Sequence, residues 1–256
     1  MKKTIIALMA LAGVACAAYE ENLLWSMEIV DNSYKFTTGA AYGDGTYTGE
    51  TKWGSQDFTT MPGYVYSDGT KKVSIESATG VKFGDSFTLS MDCSLTGAVT
   101  PPAEGQTAVE TIHLVQLCET ASWQYNVTFN TLTGQLGMSG ASGMSNVTAY
   151  GTYTLADITN ITLTMDGDVN EDGIVTVYVN NQKALQATMS GTNRHNTSNI
   201  NAGFVFLNDR SYQTAGAVGG VSGVRLYNAV IPVPEPTTAT LSLLALAGLA
   251  ARRRRK

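Results

Sequence analysis

Residues 87–95 read Phe-Thr-Leu-Ser-Met-Asp-Cys-Ser-Leu, a strict alternation of apolar and polar side chains. A period of two puts Phe87, Leu89, Met91, Cys93 and Leu95 on one face of a strand and Thr88, Ser90, Asp92 and Ser94 on the other. Such a strand needs cover for its apolar face and neighbours along its edges, so it commits the surrounding chain to a sheet. Further strand patterns recur along the chain, with turn residues between them. Leu23–Ile29 opens the series, and Trp123, Tyr125, Val127 and Phe129 alternate again. Ile112–Cys118 is more continuously apolar, as expected of a central strand. Ile161, Leu163 and Met165 lead through a polar loop to Ile174–Val179, and Phe204–Leu207 and Val224–Tyr227 close the series. Nothing between the two ends sustains a helical period over three turns. Composition agrees, with 33 Thr and 26 Gly in 256 residues and only 14% charged, against roughly 25% in ordinary globular chains. Thr favours strands and Gly favours tight turns. Pro101, Pro102 and Gly105 mark a loop rather than a domain boundary. The expectation is an all-β fold, an antiparallel sandwich or barrel formed as one domain over residues 19–231.

The two ends read as addresses. Lys2 and Lys3 precede an apolar run from Ile5 to Val14, then Ala15-Cys16-Ala17. This is a secretory signal helix over residues 1–18, with cleavage expected after Ala17 or Ala18. At the other end stand Pro234-Glu235-Pro236, an uncharged run from Thr237 to Ala251, and Arg252, Arg253, Arg254, Arg255 and Lys256. As a helix that run is about 22 Å long, short of the roughly 30 Å hydrocarbon core, so a short transmembrane helix with an inward-facing basic end is expected. The tripartite tail, residues 232–256, resembles the PEP-CTERM sorting signal of Gram-negative bacteria. The resemblance implies recognition and cutting near Pro-Glu-Pro by an exosortase-type membrane protease. It further implies transient anchoring in the inner membrane and delivery to the cell surface or an exopolysaccharide matrix.

With both ends set aside, nine basic residues face 20 acidic ones, a net charge of −11 for residues 19–231. A basic nucleic-acid surface is excluded on that balance.

A second resemblance concerns the body. Ile161–Met165, the hairpin Val175-Thr176-Val177-Tyr178-Val179-Asn180-Asn181, then Gly219-Gly220 and Val224-Arg225-Leu226-Tyr227-Asn228 look like the laminin-G/concanavalin A-like lectin fold. That superfamily often places Gly where Asn181 stands. The resemblance implies an antiparallel jelly-roll sandwich and, in many members, glycan or protein binding. Other members are enzymes, so fold does not settle function.

Candidate chemistry is sparse. Asp168-Val169-Asn170-Glu171-Asp172-Gly173 matches the start of a calcium loop, with Asp168, Asn170 and Asp172 as oxygen ligands. It also resembles the opening of a dockerin repeat. Position 12 of such a loop is Val179 rather than an acid, and Ile174–Val179 reads as a strand. A polar hairpin loop is the alternative, and calcium is the one cofactor the pattern suggests. No strand carries the spaced acids of the retaining β-glucanases, and His113 and His195 are the only histidines. No catalytic site is therefore expected. Trp53, Trp123 and Tyr125 are candidate sugar platforms, with sheet packing as the alternative. Once Cys16 leaves with the signal peptide, Cys93 and Cys118 either form a disulfide or remain two buried thiols. The expected function is that of an exported, non-catalytic surface or matrix protein, with polysaccharide as its partner. A glycan-active hydrolase or lyase and a calcium-dependent adhesion module are the alternatives.

Overall fold

The computed structural model describes residues 20–39, 51–54, 57–70, 73–77, 86–99, 111–119, 122–140, 144–167, 172–189, 203–207 and 216–233. For residues 51–54, 76–77, 99, 118–119, 122–125, 140 and 203–205 the backbone alone is described. Both expected terminal helices lie outside these segments. Among the described residues no helix is long and apolar enough to cross a membrane.

The described chain is almost entirely strand, as expected. In chain order the strands are β1 (Leu23–Val30), β2 (Ser33–Thr38), β3 (Thr51–Gly54), β4 (Val65–Asp68), β5 (Val73–Ser77), β6 (Phe87–Val99), β7 (Thr111–Glu119) and β8 (Ser122–Asn130). They continue with β9 (Leu136–Gly140), β10 (Met144–Ala149), β11 (Asn160–Asp166), β12 (Gly173–Val179), β13 (Gln182–Met189), β14 (Gly203–Phe206) and β15 (Gly216–Tyr227). A single turn of 3-10 helix, Leu155–Asp157, precedes β11.

The strands form one hydrogen-bonded sheet in two runs. The first follows the order β10-β13-β12-β11-β6-β15, antiparallel at every step. The far edge of β15 is shared. Its second half pairs with β1, which continues to β2, and its first half pairs with β4. The second run is β9-β8-β7-β14-β5-β3. A parallel bridge between Gly216 and His113 joins the runs. At their outer ends β10 meets β9 and β2 meets β3, so the sheet curls nearly into a barrel.

Register explains the core. Leu185, Val177, Leu163, Leu89, Leu226 and Trp25 stand side by side across six strands. Val179, Ile161, Met91, Val224 and Met27 form the next row. All of them are buried, and they join Ile112, Leu114, Val127 and Phe206 of the second run in one core. Each such side chain contributes about 1.5–3 kcal/mol on burial, so these rows hold the two runs face to face.

Glycine makes β15 able to serve so many neighbours. Gly219 has φ +150°, and a Cβ there would sit 2.2 Å from the Ser94 carbonyl oxygen. It lies at a bulge where β15 shifts register on β6. A Cβ on Gly220 would strike Tyr64, whose loop leads into β4.

Candidate functional site

Because side chains alternate, the apolar rows imply polar rows on the opposite face of the same strands. Tyr178, Thr162, Ser90, Arg225 and Ser26 form one. Thr176, Thr164, Thr88 and Tyr227 form a second, and Asn160, Asp92, Gly223 and Glu28 a third. Where these rows cross β11, β6 and β15 they floor a cleft of about 230 Å³. Thr88, Ser90, Asn160, Thr162, Arg225 and Tyr227 line its base, and Asn181, Ile231 and Val233 its rim.

Arg225 is the electrostatic centre. Its Nη1 donates to Asp92 Oδ2 at 2.6 Å, and its Nη2 donates to Glu28 Oε1 at 3.1 Å. Gly223, between the two acids in register, has no side chain to separate them from the guanidinium, and a Cβ there would lie 3.4 Å from Asp92 Oδ2. Burial alone would lower the Arg225 pKa, but the hydrogen bond and charge of Asp92 and the hydrogen bond from Glu28 prevail and raise it. The other oxygen of Asp92 accepts from Asn160 Nδ2 at 2.8 Å. Asn160 Nδ2 also donates to Ser90, and its Oδ1 accepts from Thr162. A connected network thus orders hydroxyl, amide and guanidinium groups across three strands.

Two local devices place the rim. The β12–β13 hairpin turns at Asn180 and Asn181, with φ +51° and +65°. Such tight hairpins need left-handed residues, and Asn tolerates that conformation better than most. Asn180 Oδ1 accepts from the backbone N–H groups of Thr159 and Asn160 and from the Thr159 hydroxyl, while its Nδ2 donates to the Asp157 carbonyl. This ties the hairpin to the entry of β11 and sets Asn181 over the cleft. On the other side, the Thr88 hydroxyl donates to the Ala229 carbonyl and accepts from the Ile231 N–H, both at 2.8 Å. The chain leaving β15 is thereby stitched across the polar face before it reaches Pro232.

The residues singled out from sequence lie elsewhere. Trp53 is on β3 opposite Ile75, and Trp123 and Tyr125 are on β8 opposite Cys118 and Leu117. Those strands belong to the second run, away from the cleft, and the three side chains lie outside the described residues. Asp168 and Asn170 also lie outside them, and Asp172 is exposed just before β12. Among the described residues no group of three or more His, Cys, Asp or Glu is placed to hold a metal. His113 is half-buried on β7, and His195 lies outside the described residues. Pro234, Glu235, Pro236 and Arg252–Arg255 lie outside them as well. The disulfide reading is corrected at Cys93, which is a free thiol donating to the Ile158 carbonyl at 3.6 Å. Strand order gives the reason, since β15 lies between β6, which carries Cys93, and β7, which carries Cys118.

Asn160, Arg225 and Glu28 were missed by sequence reasoning. One signal was present: Arg225 is the only basic residue in any of the sequence-assigned strands.

The chain leaves the cleft at Pro232, where the tail pattern begins. Residues 232–256 match the PEP-CTERM protein-sorting motif. The PEP-CTERM motif in general marks export with transient membrane anchoring, and exosortase, a membrane protease, recognises it. It covers only the end of the chain and leaves the body unassigned. No curated protein matches the chain by sequence. Among solved structures, the body resembles Trypanosoma rangeli sialidase in complex with sialic acid, with TM-score 0.54 and 13% identity over 83% of this chain and 31% of the sialidase. The same sialidase with 2,3-difluorosialic acid, a covalent intermediate, gives TM-score 0.53 and 12% identity over 83% and 32% of the two chains. The botulinum neurotoxin serotype D/C binding domain gives TM-score 0.50 and 10% identity over 88% of this chain and 53% of that one. The chain thus spans about a third of the sialidase and half of the toxin domain. At such identities the likeness establishes a shared β fold.

Proposed function

We propose that this is a non-catalytic protein of the cell surface or extracellular matrix that holds polysaccharide on its polar face. Residues 19–231 form its single, concanavalin A-like jelly-roll domain, delivered by the signal peptide and released near Pro234-Glu235-Pro236 by an exosortase. The observation that carries the binding reading is the cleft. It presents Ser, Thr, Asn and Arg groups at fixed spacing on a rigid sheet, as recognition of a hydroxyl-rich chain requires. The sialidase likeness supports the reading only as fold analogy. Affinity electrophoresis of the purified chain in gels containing matrix polysaccharides tests it. Retardation should fall on the order of tenfold for Asn160→Ala, which removes the amide that holds Ser90, Asp92 and Thr162 in place across the cleft floor. Equal mobility of wild type and variant in every gel would sink the proposal.

Glu28 and Asp92, both bonded to the cleft residue Arg225, favour a second reading, a glycan-active enzyme. Glycoside cleavage needs a carboxyl free to pass a proton to the leaving oxygen. Both Asp92 oxygens already accept bonds within the protein, which argues for binding over catalysis. Release of reducing ends by wild type, lost in Glu28→Gln, would reverse that preference.

A further inference from the structure

The polysaccharide reading leaves open which chemical class of glycan the face takes, and its charges answer that. Among the described residues of β1, β2, β6, β11, β12, β13 and β15, three cations point to the polar side. They are Lys35, Lys183 and Arg225. Three carboxylates, Glu28, Asp92 and Asp166, share that side, so the face is formally neutral.

Two of its three cations are also engaged. Arg225 spends one terminal nitrogen on Asp92 and the other on Glu28. Lys183 donates to Gln186 Oε1 at 3.0 Å, and its ammonium lies 4.9 Å from the centre of the Tyr150 ring. Lys35 stands directly opposite Glu28 in the β1–β2 register. Binding a carboxylate or sulfate takes an Arg fork or ammonium with donors turned to the ligand. Arg225 is the only cation lining the cleft among the described residues, and it holds two protein acids instead. Around it lie Ser90, Asn160, Thr162 and Asn181, which are uncharged. At larger range, a body of net charge −11 repels polyanions.

We propose that the cleft takes an uncharged, hydroxyl-rich glycan and discriminates against uronate, sialate and sulfated chains. This rests on the polysaccharide reading above. The two carboxylates on Arg225 are the discriminating element, because they neutralise the one guanidinium that lines the cleft among the described residues.

The test compares the full purified chain in affinity gels of a neutral β-glucan and of polygalacturonate. Wild type should be retarded by the glucan on the order of tenfold more strongly than by the acidic polymer. Glu28→Gln should gain retention by polygalacturonate, since it removes one of the two negative charges held on Arg225 and leaves the face one unit more positive. Its retention by polygalacturonate relative to glucan should therefore rise, and circular dichroism should verify that it is folded. Equal or stronger retention of wild type by polygalacturonate would overturn this inference while leaving polysaccharide binding in place. So would a folded Glu28→Gln that gains nothing on the acidic gel. Retardation by neither polymer, with retardation by no other glycan, would remove the polysaccharide reading and this inference with it.

Discussion

Cys93 shows how a single position separates two readings of an exported chain. Its thiol is buried among core side chains and its pKa is pushed up to about 12, first by burial and then by the neighbouring charge of Asp92. The protonated form therefore persists in the folded protein at pH values where an unfolded thiol, near its ordinary value of 9.0, is already ionised. A raised folded pKa gives stability that is complete below about 9 and is lost as pH rises toward about 12. Two outcomes follow. Cys93 should resist a thiol-directed alkylating reagent at neutral pH in the native protein and react once it is unfolded, as mass spectrometry would read. Cys93→Val should flatten the loss of stability between those pH limits. Neither disulfide nor thiol could be told from the cysteine count, because the count says nothing of strand order.

At the scale of elements, the period-two pattern was legible and the hydrogen-bonded neighbours were not. Each of the strands anticipated at Leu23, Phe87, Ile112, Trp123, Ile161, Ile174, Phe204 and Val224 is present, although β6 and β15 run further than the apolar runs suggested. The extension of β15 passes through Gly216, Gly219 and Gly220, residues that weaken a strand pattern yet permit the close approach of β6 and the Tyr64 loop. Strands β2, β3, β4, β5, β9, β10 and β13 were not anticipated, since short or half-exposed strands such as Ser33–Thr38 carry little apolar periodicity. The cleft was hidden for a related reason. Glu28, Asp92 and Arg225 lie far apart in sequence and converge only through the pairing of β1, β15 and β6. The β12–β13 hairpin offers a measurable case of local chemistry positioning the rim. Asn180→Ala removes four hydrogen bonds and leaves a side chain poorly suited to φ +51°, so a loss of about 2–3 kcal/mol in urea unfolding is expected. Asn180→Gly should lose less, because it removes the bonds but not the conformational freedom. Equal stability of all three proteins would show that the clamp has no energetic weight.

Over the whole molecule, one core and one hydrogen-bonded sheet join strands from Leu23 to Tyr227. Leu89 lies in the middle of a six-strand row and belongs to the core that both runs share. Leu89→Ala should cost about 2–5 kcal/mol, and far-ultraviolet circular dichroism and tryptophan fluorescence should still report one coincident transition. Separate transitions would mean that the two runs hold together less firmly than their shared core implies. Sequence established the all-β character and the −11 body, because both are properties of composition and local period. It anticipated a sandwich or barrel but not which strands meet to close it, because the approach of β10 to β9 and of β2 to β3 is a matter of strand order rather than of local period.

The stitch at Thr88 has a mechanical consequence. A pull on the C-terminal end, such as the transient anchoring that the sorting motif in general marks, would load the two hydrogen bonds on the Thr88 hydroxyl before it loaded β15. Behind them lies β15, bonded to β6 along one edge and to β1 and β4 along the other. Such a pull would open the rim of the cleft, to which Ile231 and Val233 belong, before it disturbed the sheet.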